Sequence, residues 1–404
     1  MKRAELRSPV NVNREWFRNR WILVALGFVG FVTSFGAHVV AVNLPVYAKQ
    51  VGVGFAVIGA LVAVYDFAEI FAKPVFGWIA DRRGLKATML AGIAFFSLAS
   101  LAFLFVPPQL LIVIRFLQGL GGAALSITST ALVAAYFPDG RGSAFGVYNA
   151  LKGLGYVLGP SIGGAIVWRY SFSAIFVASF LAGAFAFCFA IFLPGLSAKS
   201  KLEDDDDDFS PRQIVAALRE PRMLGRYVVI VVNMFMAGIL FGFLPVYVNS
   251  LGYDQLKNGF IAAAATTSYL LIQPLAGYLA DRFDAKRVVL TGLILSASSL
   301  ALIPFSTGGV LVCVVVAGGI GVGSVWTNTD TIVSSLAEEG RLAATLGAAG
   351  SFKELGDMLG PLLIGVVAQF WGLRTGFLIC GALGLVGIVM LQTRPQGKVA
   401  DILE

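Results

Sequence analysis

Long apolar runs without any charged side chain constrain this chain more than any other feature of its sequence. The runs Trp21–Tyr47, Ala87–Val106 and Gly376–Leu391 contain 16 to 27 residues and no Asp, Glu, Lys or Arg. A helix needs roughly 20 apolar residues to cross the hydrocarbon layer of a membrane. Only 13% of all residues are charged, which is about half the share in a soluble domain. We therefore predict an all-α membrane protein with many spans.

Twelve segments are long and apolar enough to cross a membrane as helices, and we number them helix 1 to helix 12. They cover residues 21–47, 54–80, 87–106, 109–135, 143–168, 172–195, 225–248, 256–280, 287–305, 309–336, 342–370 and 373–392. The run that starts at Trp21 is too long for the core of a signal peptide, and no convincing small-residue cleavage site follows it. We therefore expect helix 1 to remain in the mature protein.

A glycine frame that occurs twice indicates that the chain consists of two similar halves. The first copy contains Gly146, Gly155, Gly159, Pro160, Gly163 and Gly164. The second copy, 201 residues later, contains Gly347, Gly356, Gly360, Pro361 and Gly365. A lysine recurs inside each frame, as Lys152 and Lys353. Glycines at a spacing of four leave one helix face without side chains, and proline bends a helix. We expect the frames to form close-packed seals in helices 5 and 11.

The duplication predicts two parallel six-helix bundles, which are characteristic of repeat-built membrane proteins. The bundles cover 21–195 and 225–392, with the segment 1–20, the linker 196–224 and the tail 393–404 outside the membrane. The linker carries the acidic run 203–208. This run fits a calcium or partner site, but a solvated linker is the simpler interpretation. The role of the run stays open.

The basic residues predict the orientation in the membrane. The chain has 30 Lys and Arg. Of these, 22 lie in the termini and in the loops that follow even-numbered helices, four lie in the loops that follow odd-numbered helices, and four lie inside helices. Because Lys and Arg near a span resist translocation, both termini are expected in the cytoplasm of a bacterial-type cell with the protein in its inner membrane. The net charge of +7 therefore reflects topology, and we expect no nucleic-acid partner. Three cysteines inside helices suggest neither a disulfide framework nor a metal site.

The end of helix 2 carries a motif that resembles a family signature. Residues 77–86 read GWIADRRGLK, and a weaker copy from Gly277 to Arg287 has Asp284 in place of the second glycine. The first copy resembles the loop between helices 2 and 3 of the major facilitator superfamily. The resemblance implies a twelve-helix transporter, with these residues as a cytoplasmic gate; a simple topology anchor is the alternative. The residues assigned to the gate are Gly77, Asp81, Arg82, Gly84, Lys86, Gly277, Asp281 and Arg282.

Two further motifs resemble the drug/proton antiporter group of that superfamily. Helix 4 contains Leu111, Arg115, Gln118-Gly119, Gly121 and Ala123, which resemble the arginine motif of the group. The frame in helix 5 resembles its antiporter motif. Many relatives also carry an acidic residue in helix 1, where this chain has His38. The resemblance implies proton-coupled efflux.

Charged residues inside the helices are the strongest candidates for a site, since each costs about 2.5–3.5 kcal/mol at a helix centre on insertion scales. Asp66, Glu69 and Lys73 share one face of helix 2, and Glu69 can pair with Lys73 one turn later. The other candidates are Arg115, Lys152, Asp330, Lys353, Glu354 and Asp357. Buried salt bridges that fix the helix register are one interpretation. A polar cavity in which a carboxylate exchanges a proton is the other.

Asp66 and Glu69 with Arg115 are our first choice for proton coupling, followed by Glu354, Asp357 and His38. His38 is equally well explained as a hydrogen-bonded packing residue. The solute type stays open, because the lysines suit an anion and the acids suit a cation. The remaining candidates for a solute cavity are Lys73, Lys152, Lys353, Asp330, Tyr65, Tyr148, Tyr156, Tyr269, Gln273 and Trp326.

Three functions are compatible with these residues. Proton-coupled export of a small organic or drug-like solute is the leading hypothesis, and proton-coupled import of an organic anion is the second. A sensor or scaffold that transports nothing is the third. No set of nucleophile and base, metal-ligand spacing or phosphate-binding loop stands out, so we expect neither an enzyme nor a cofactor. The expected partners are the solute, protons and membrane lipid, with the protein as a monomer.

Overall fold

The computed structural model describes residues 20–137, 141–194, 221–336 and 342–392, and every regular element in these ranges is helical. The residues 1–19, the linker with its acidic run 203–208 and the tail 393–404 lie outside the described part of the chain. Helices 1 to 6 are Arg20–Gln50, Phe55–Arg83, Leu85–Ala102, Leu111–Tyr136, Arg141–Arg169 and Phe172–Ile191. The predicted spans of the first half are therefore confirmed as helices.

The second half repeats this pattern with two local differences. Helices 7 to 10 are Pro221–Gly242 with Leu244–Ser250, Gln255–Arg282, Ala285–Leu302 and Gly308–Leu336. Helix 7 is interrupted at Phe243, just before Pro245, which has no N–H to donate to the preceding turn. Helices 11 and 12 follow each other within Leu342–Gln392. Gly372, at φ 84°, divides this run at the boundary predicted between them.

The helices have the length and hydropathy of membrane spans. Eleven helices among the described residues satisfy these criteria, and the last of them contains both helix 11 and helix 12. Large apolar side chains point outward along them, such as Phe71 at 63% exposure and Leu271 at 73%. Water would make such a surface unfavourable, whereas hydrocarbon is a suitable surrounding. The structure thus confirms the all-α membrane fold.

Contacts within the chain define two compact units. Unit 1 comprises Met1–Asn43 and Ala68–Asp204, and unit 2 comprises Leu44–Phe67 and Asp205–Glu404. Helix 2 therefore passes from unit 2 to unit 1 between Phe67 and Ala68. In unit 1, helix 3 packs against helices 4 and 6; in unit 2, helix 7 packs against the run that contains helices 11 and 12.

The duplicated glycine frame performs the same packing role in both units. In unit 1, a Cβ on Gly155 would lie 2.6 Å from the Phe31 carbonyl oxygen, and one on Gly159 would lie 2.7 Å from the His38 Cβ. In unit 2, a Cβ on Gly356 would lie 2.5 Å from the Val231 carbonyl oxygen. Helix 5 thus lies directly against helix 1, and helix 11 lies against helix 7, because these glycines carry no side chain.

Candidate functional site

Helix 2 contributes an ion pair to the interior of unit 1. The Lys73 Nζ lies 2.5 Å from the Glu69 carboxylate one helical turn away, and the two side chains are 26% and 13% exposed. The spacing in the sequence had predicted this pair. Asp66 precedes Glu69 by three residues on the same helix and makes interactions of its own.

Lys152 of helix 5 faces the same charges. Its ammonium interacts electrostatically with Glu69 and Lys73 and lies 6.0 Å from the centre of the Tyr156 ring. In the described part of the chain, the Lys152 ammonium has no carboxylate within ion-pair distance. A lysine whose charge is not neutralised by a direct partner is available to a charged solute.

His38 of helix 1 completes this side of the cluster. Its Nδ1 lies 2.8 Å from the Ser34 carbonyl oxygen, and its ring centre lies 4.1 Å from that of Tyr156. The Ser34 hydroxyl oxygen is buried and has no hydrogen-bond partner among the described residues. His38 is also within electrostatic reach of Lys152 and Arg115. Helices 1, 2, 4 and 5 therefore bring their polar residues together within unit 1.

Arg115 is fixed by a chain of buried hydrogen bonds that sequence reasoning had not found. Its Nη1 donates to the Gln118 Oε1 at 2.5 Å, and the Gln118 Nε2 donates to the Ser100 Oγ at 2.8 Å. The Ser179 Oγ donates to the same Ser100 oxygen at 3.1 Å. The chain links helix 4 to helices 3 and 6. Gln118 belongs to the helix 4 motif, but only tertiary packing reveals the two serines.

Tyr148 occupies the packed core of unit 1. It is 1% exposed, and its hydroxyl donates to the Ser129 Oγ at 2.8 Å. It packs in a cluster of buried apolar side chains that includes Leu26, Met89 and Val133. Tyr148 is therefore a core residue, in contrast to the expectation that it lines a solute cavity.

Unit 2 places the second frame lysine over aromatic rings. The Lys353 Nζ lies 4.1 Å from the centre of the Trp326 ring, and the Tyr269 ring meets Trp326 edge to face at 6.1 Å. The Phe241 ring meets Tyr269 at 5.6 Å in the same geometry. Phe241 comes from helix 7 and was not among the predicted site residues.

Glycines in helix 10 bring these rings together. A Cβ on Gly323 would collide with the Tyr269 carbonyl oxygen, and a Cβ on Gly319 would collide with that of Ala265. Helix 10 therefore lies against the backbone of helix 8, one turn from Trp326. This close approach positions the Trp326 ring beside the Tyr269 ring.

The remaining candidates of unit 2 lie on helices 2, 8, 10 and 11. The Asp357 Oδ1 faces Gly238 of helix 7, where an added Cβ would lie 3.1 Å from it. Tyr65, Asp66, Glu354 and Gln273 are half-buried, and the first three make further interactions. The side chains of Asp330 and Asp281 lie outside the described part of the structure.

The gate motif is helical almost to its end. Helix 2 continues to Arg83 and helix 3 begins at Leu85, so Gly84 alone joins them, at φ 96° and ψ 140°. The predicted spans 54–80 and 87–106 left residues 81–86 as the connection, and the structure shortens this connection to Gly84. The exposed Asp81 lies in the last turn of helix 2 and does not occupy the N-cap position of helix 3.

The second copy of the motif explains why Asp284 replaces a glycine. Its φ is 174°, an extended conformation that any residue adopts, and its carboxylate accepts from the Lys286 N–H at 2.9 Å. Asp284 thus caps helix 9, whereas the equivalent Gly84 has a backbone conformation that favours glycine. Both copies place an arginine against an aromatic one turn earlier: Arg82 lies 4.0 Å from the Trp78 ring centre, and Arg282 donates to the Tyr278 hydroxyl.

Lys86 connects the gate motif to the end of helix 6. Its Nζ donates to the Ile191 carbonyl oxygen at 2.6 Å, and the Tyr136 hydroxyl donates to the Pro194 carbonyl oxygen. The last carbonyls of a helix lack partners within the helix and carry partial negative charge. Lys86 therefore stabilises the exit of helix 6, a role that we had not predicted.

No group of three His, Cys, Asp or Glu suited to a metal occurs among the described residues. The cysteines there are free: Cys188 and Cys313 are exposed, and Cys380 is buried.

Comparisons with known proteins agree with the geometry. The family model of the Major Facilitator Superfamily matches residues 26–268 and 230–402. The multidrug resistance protein MdtG of Serratia proteamaculans is 26% identical over 98% of this chain and 99% of its own length. The same protein of Salmonella typhimurium is 27% identical, with 94% and 95% covered.

Solved structures share the fold. The nucleoside transporter NupG has a TM-score of 0.78 at 13% identity, covering 92% of this chain and 99% of its own. A bacterial homolog of the human lysosomal transporter Spinster has a TM-score of 0.75 at 15% identity, covering 92% and 96%. At this identity the likeness concerns the fold alone.

Proposed function

This chain belongs to the Major Facilitator Superfamily and is a multi-pass membrane transporter, and on that premise we propose that it exports a small organic, drug-like solute in exchange for protons. The relatives named as multidrug resistance proteins match nearly the whole chain and support export. Transport would proceed by alternating access between two six-helix halves around a site near the middle of the membrane.

The charged cluster of unit 1 is the observation that carries this proposal. Lys152 lies within electrostatic reach of the Glu69–Lys73 pair and of His38, and His38 lies within reach of Arg115. These residues come from four membrane helices. Ionisable groups inside a membrane are costly and are retained where ions or protons pass. A single salt bridge would be enough to fix the register of the helices, whereas this cluster contains several further charged or ionisable side chains.

Glu69, with Asp66 three residues before it, is the proposed proton carrier. Both partners of its ion pair lie on helix 2, so a turn of the Lys73 side chain away from the carboxylate, and not a shift of the whole helix, would open the pair and let the carboxylate take up a proton. The Arg115 guanidinium, fixed by Gln118, holds a positive charge in the cluster. His38, Glu354 and Asp357 are the alternative carriers.

The charge distribution supports a definite membrane orientation. We propose that both termini face the cytoplasm and that the protein resides in the inner membrane of a bacterial-type cell, where it acts as a monomer. The gate residues at the end of helix 2 then lie on the cytoplasmic side, close to the Lys86 contact with helix 6.

Proton-coupled import of an organic anion is a second candidate, and Lys152 is the observation that favours it. An anion paired with its ammonium would favour protonation of a nearby carboxylate, since the two negative charges repel. Solute and proton would then bind together and move in the same direction. A solute that competes with the proton would instead be exchanged for it.

Proton movement in vesicles distinguishes these functions. Purified full-length protein is reconstituted without any gradient, and solutes from a panel are added while the internal pH is recorded. Solute-induced proton release is the expected result and supports exchange, whereas solute-driven proton entry supports import with protons. If no solute moves protons under any gradient, the sensor or scaffold function replaces both.

A further inference from the structure

Three aromatic rings and one ammonium form a compact cluster in unit 2 that the proton-coupling proposal does not use. We call Phe241, Tyr269 and Trp326 the aromatic cluster. Each ring comes from a different helix, and all three side chains are half-buried. The Lys353 ammonium lies 4.1 Å from the Trp326 ring centre. Aromatic faces carry negative charge density, and Trp gives the strongest attraction for a cation within about 6 Å of its centre.

We propose that the aromatic cluster binds the positive group of a lipophilic organic cation, and that Lys353 occupies it until the solute arrives. This inference rests on the proposed export function and names the class of solute. The cluster presents an aromatic surface of the kind that recognises large, weakly hydrated ammonium groups. The solute cation would displace the lysine ammonium from Trp326 and lie over the same ring.

Helix 11 offers the displaced ammonium a second position. Asp357 lies one helical turn after Lys353, the spacing at which opposite charges meet on a helix surface. The Asp357 carboxylate faces Gly238 of helix 7, within unit 2. Lys353 can therefore leave the neutral Trp326 ring and lie beside a carboxylate of its own helix.

An anionic solute makes the opposite use of Lys353. It would pair with the ammonium, so removing the lysine would weaken binding. In the arrangement that we propose, Lys353 competes with the solute, so removing it strengthens binding. The direction of the change in affinity thus separates a cation site from an anion site.

Two probes of nearly identical shape and opposite charge test this inference. Binding of tetraphenylphosphonium and of tetraphenylborate is measured on the purified full-length protein by equilibrium dialysis. We expect the phosphonium to bind the wild type more tightly than the borate does. Lys353→Met should tighten phosphonium binding about two- to thirtyfold, the range that corresponds to one cation–π contact. Lys353→Arg should not tighten it, since the guanidinium also occupies the ring.

Matched variants within unit 2 control for lost charge and lost aromatic area. Lys257→Met removes a positive charge from the outer end of helix 8, where the side chain is 63% exposed, and should leave both affinities unchanged. Trp326→Leu should weaken phosphonium binding by a similar factor, whereas Trp371→Leu, on a 66% exposed side chain, should not. Tighter borate than phosphonium binding, or weaker phosphonium binding by Lys353→Met, would overturn the inference.

The two proposals fail separately. If phosphonium binds in the predicted manner but no solute moves protons in vesicles, exchange is wrong and the cation site stands. If solutes release protons but Lys353→Met weakens their binding, exchange stands and the cation site is wrong.

Discussion

Glu69 and Lys73 show how a single pair of residues can serve both stability and transport. The pair lies inside the span of helix 2, where each charge alone would be costly. Removing one partner of a buried pair is more destabilising than removing both, because it leaves a charge without its counterpart. Variants must therefore separate the loss of the pair from the loss of the proton carrier.

Glu69→Gln is expected to abolish transport that depends on a proton gradient and to spare solute binding, because the amide cannot carry a proton. Asp66→Asn should act in the same direction. The measurement compares solute movement under an imposed pH gradient with equilibrium binding on the same preparation. Asp254→Asn, at the N-cap of helix 8, is the matched control and should retain coupling. The double variant Glu69→Gln/Lys73→Met restores charge balance and tests folding, and unchanged coupling in both Glu69 and Asp66 variants would remove the assignment.

The sequence predicted individual site residues best where the contact lies within one helix. The Glu69–Lys73 pair follows from a spacing of four, and the duplicated lysines follow from the repeated frame. Phe241 escaped prediction because an aromatic residue in an apolar helix carries no signal until helices 8 and 10 approach it. Tyr148 was misplaced for the related reason that its helix face is set by neighbours from other helices.

At the scale of helices, the frame glycines set how closely two spans approach. Gly159→Ala should destabilise unit 1 by about 1–3 kcal/mol, the usual range for an overfilled core, because the new Cβ would lie 2.7 Å from the His38 Cβ. Gly146 belongs to the same frame and helix, but nothing lies within 4 Å of its Cβ position. Gly146→Ala is therefore the matched control and should not reduce thermal stability in detergent. Equal stability of the two variants would show that the frame does not depend on close packing at Gly159.

The two connections after helices 2 and 8 differ in backbone conformation, and opposite substitutions test this difference. Gly84→Ala forces a side chain into a conformation that favours glycine and should cost about 1–3 kcal/mol. Asp284→Gly loses only the cap to Lys286 and should cost a few tenths of a kcal/mol. The comparison uses melting temperatures of the purified variants. A larger loss for Asp284→Gly would contradict the assigned conformations.

Hydropathy predicted the extent of each helix to within a few residues. The exact residue at which a helix ends depended on local chemistry. The boundary between the predicted spans 342–370 and 373–392 coincides with Gly372, whose φ of 84° divides the helical run. Helix 2 was predicted to end at residue 80 but continues to Arg83, since hydropathy marks where the apolar run ends and not where the helix ends. Packing partners such as helix 5 with helix 1 were not readable from either pattern.

At the scale of the whole molecule, the compact units do not coincide with the two sequence repeats. Unit 2 combines Leu44–Phe67, from the first half of the chain, with Asp205–Glu404. Within it, the backbones of helices 2 and 11 touch: a Cβ on Gly365 would lie 2.9 Å from the Gly59 Cα and 2.6 Å from the Phe55 carbonyl oxygen. One piece of the first repeat is thus held by contacts to the second.

Cutting the chain between its repeats should therefore leave the two fragments associated. A protease site placed in the acidic run 203–208 separates the repeats without touching a described helix, and we expect the cut fragments to purify together in mild detergent by a tag on one of them. Gly59→Leu/Gly365→Leu forces side chains into the crossing of helices 2 and 11, so this variant should lose the second fragment after cutting while the uncut chain still elutes as one species. The control is Val57→Leu, because this side chain is 46% exposed and its enlargement does not affect the crossing. Gly52→Leu, near the same end of helix 2, is unsuitable as a control because Gly52 has a φ of 88°. Because residues 44–67 belong to unit 2 through contacts such as this one, separation of the wild-type fragments as readily as those of the double variant would contradict the division of the molecule described above.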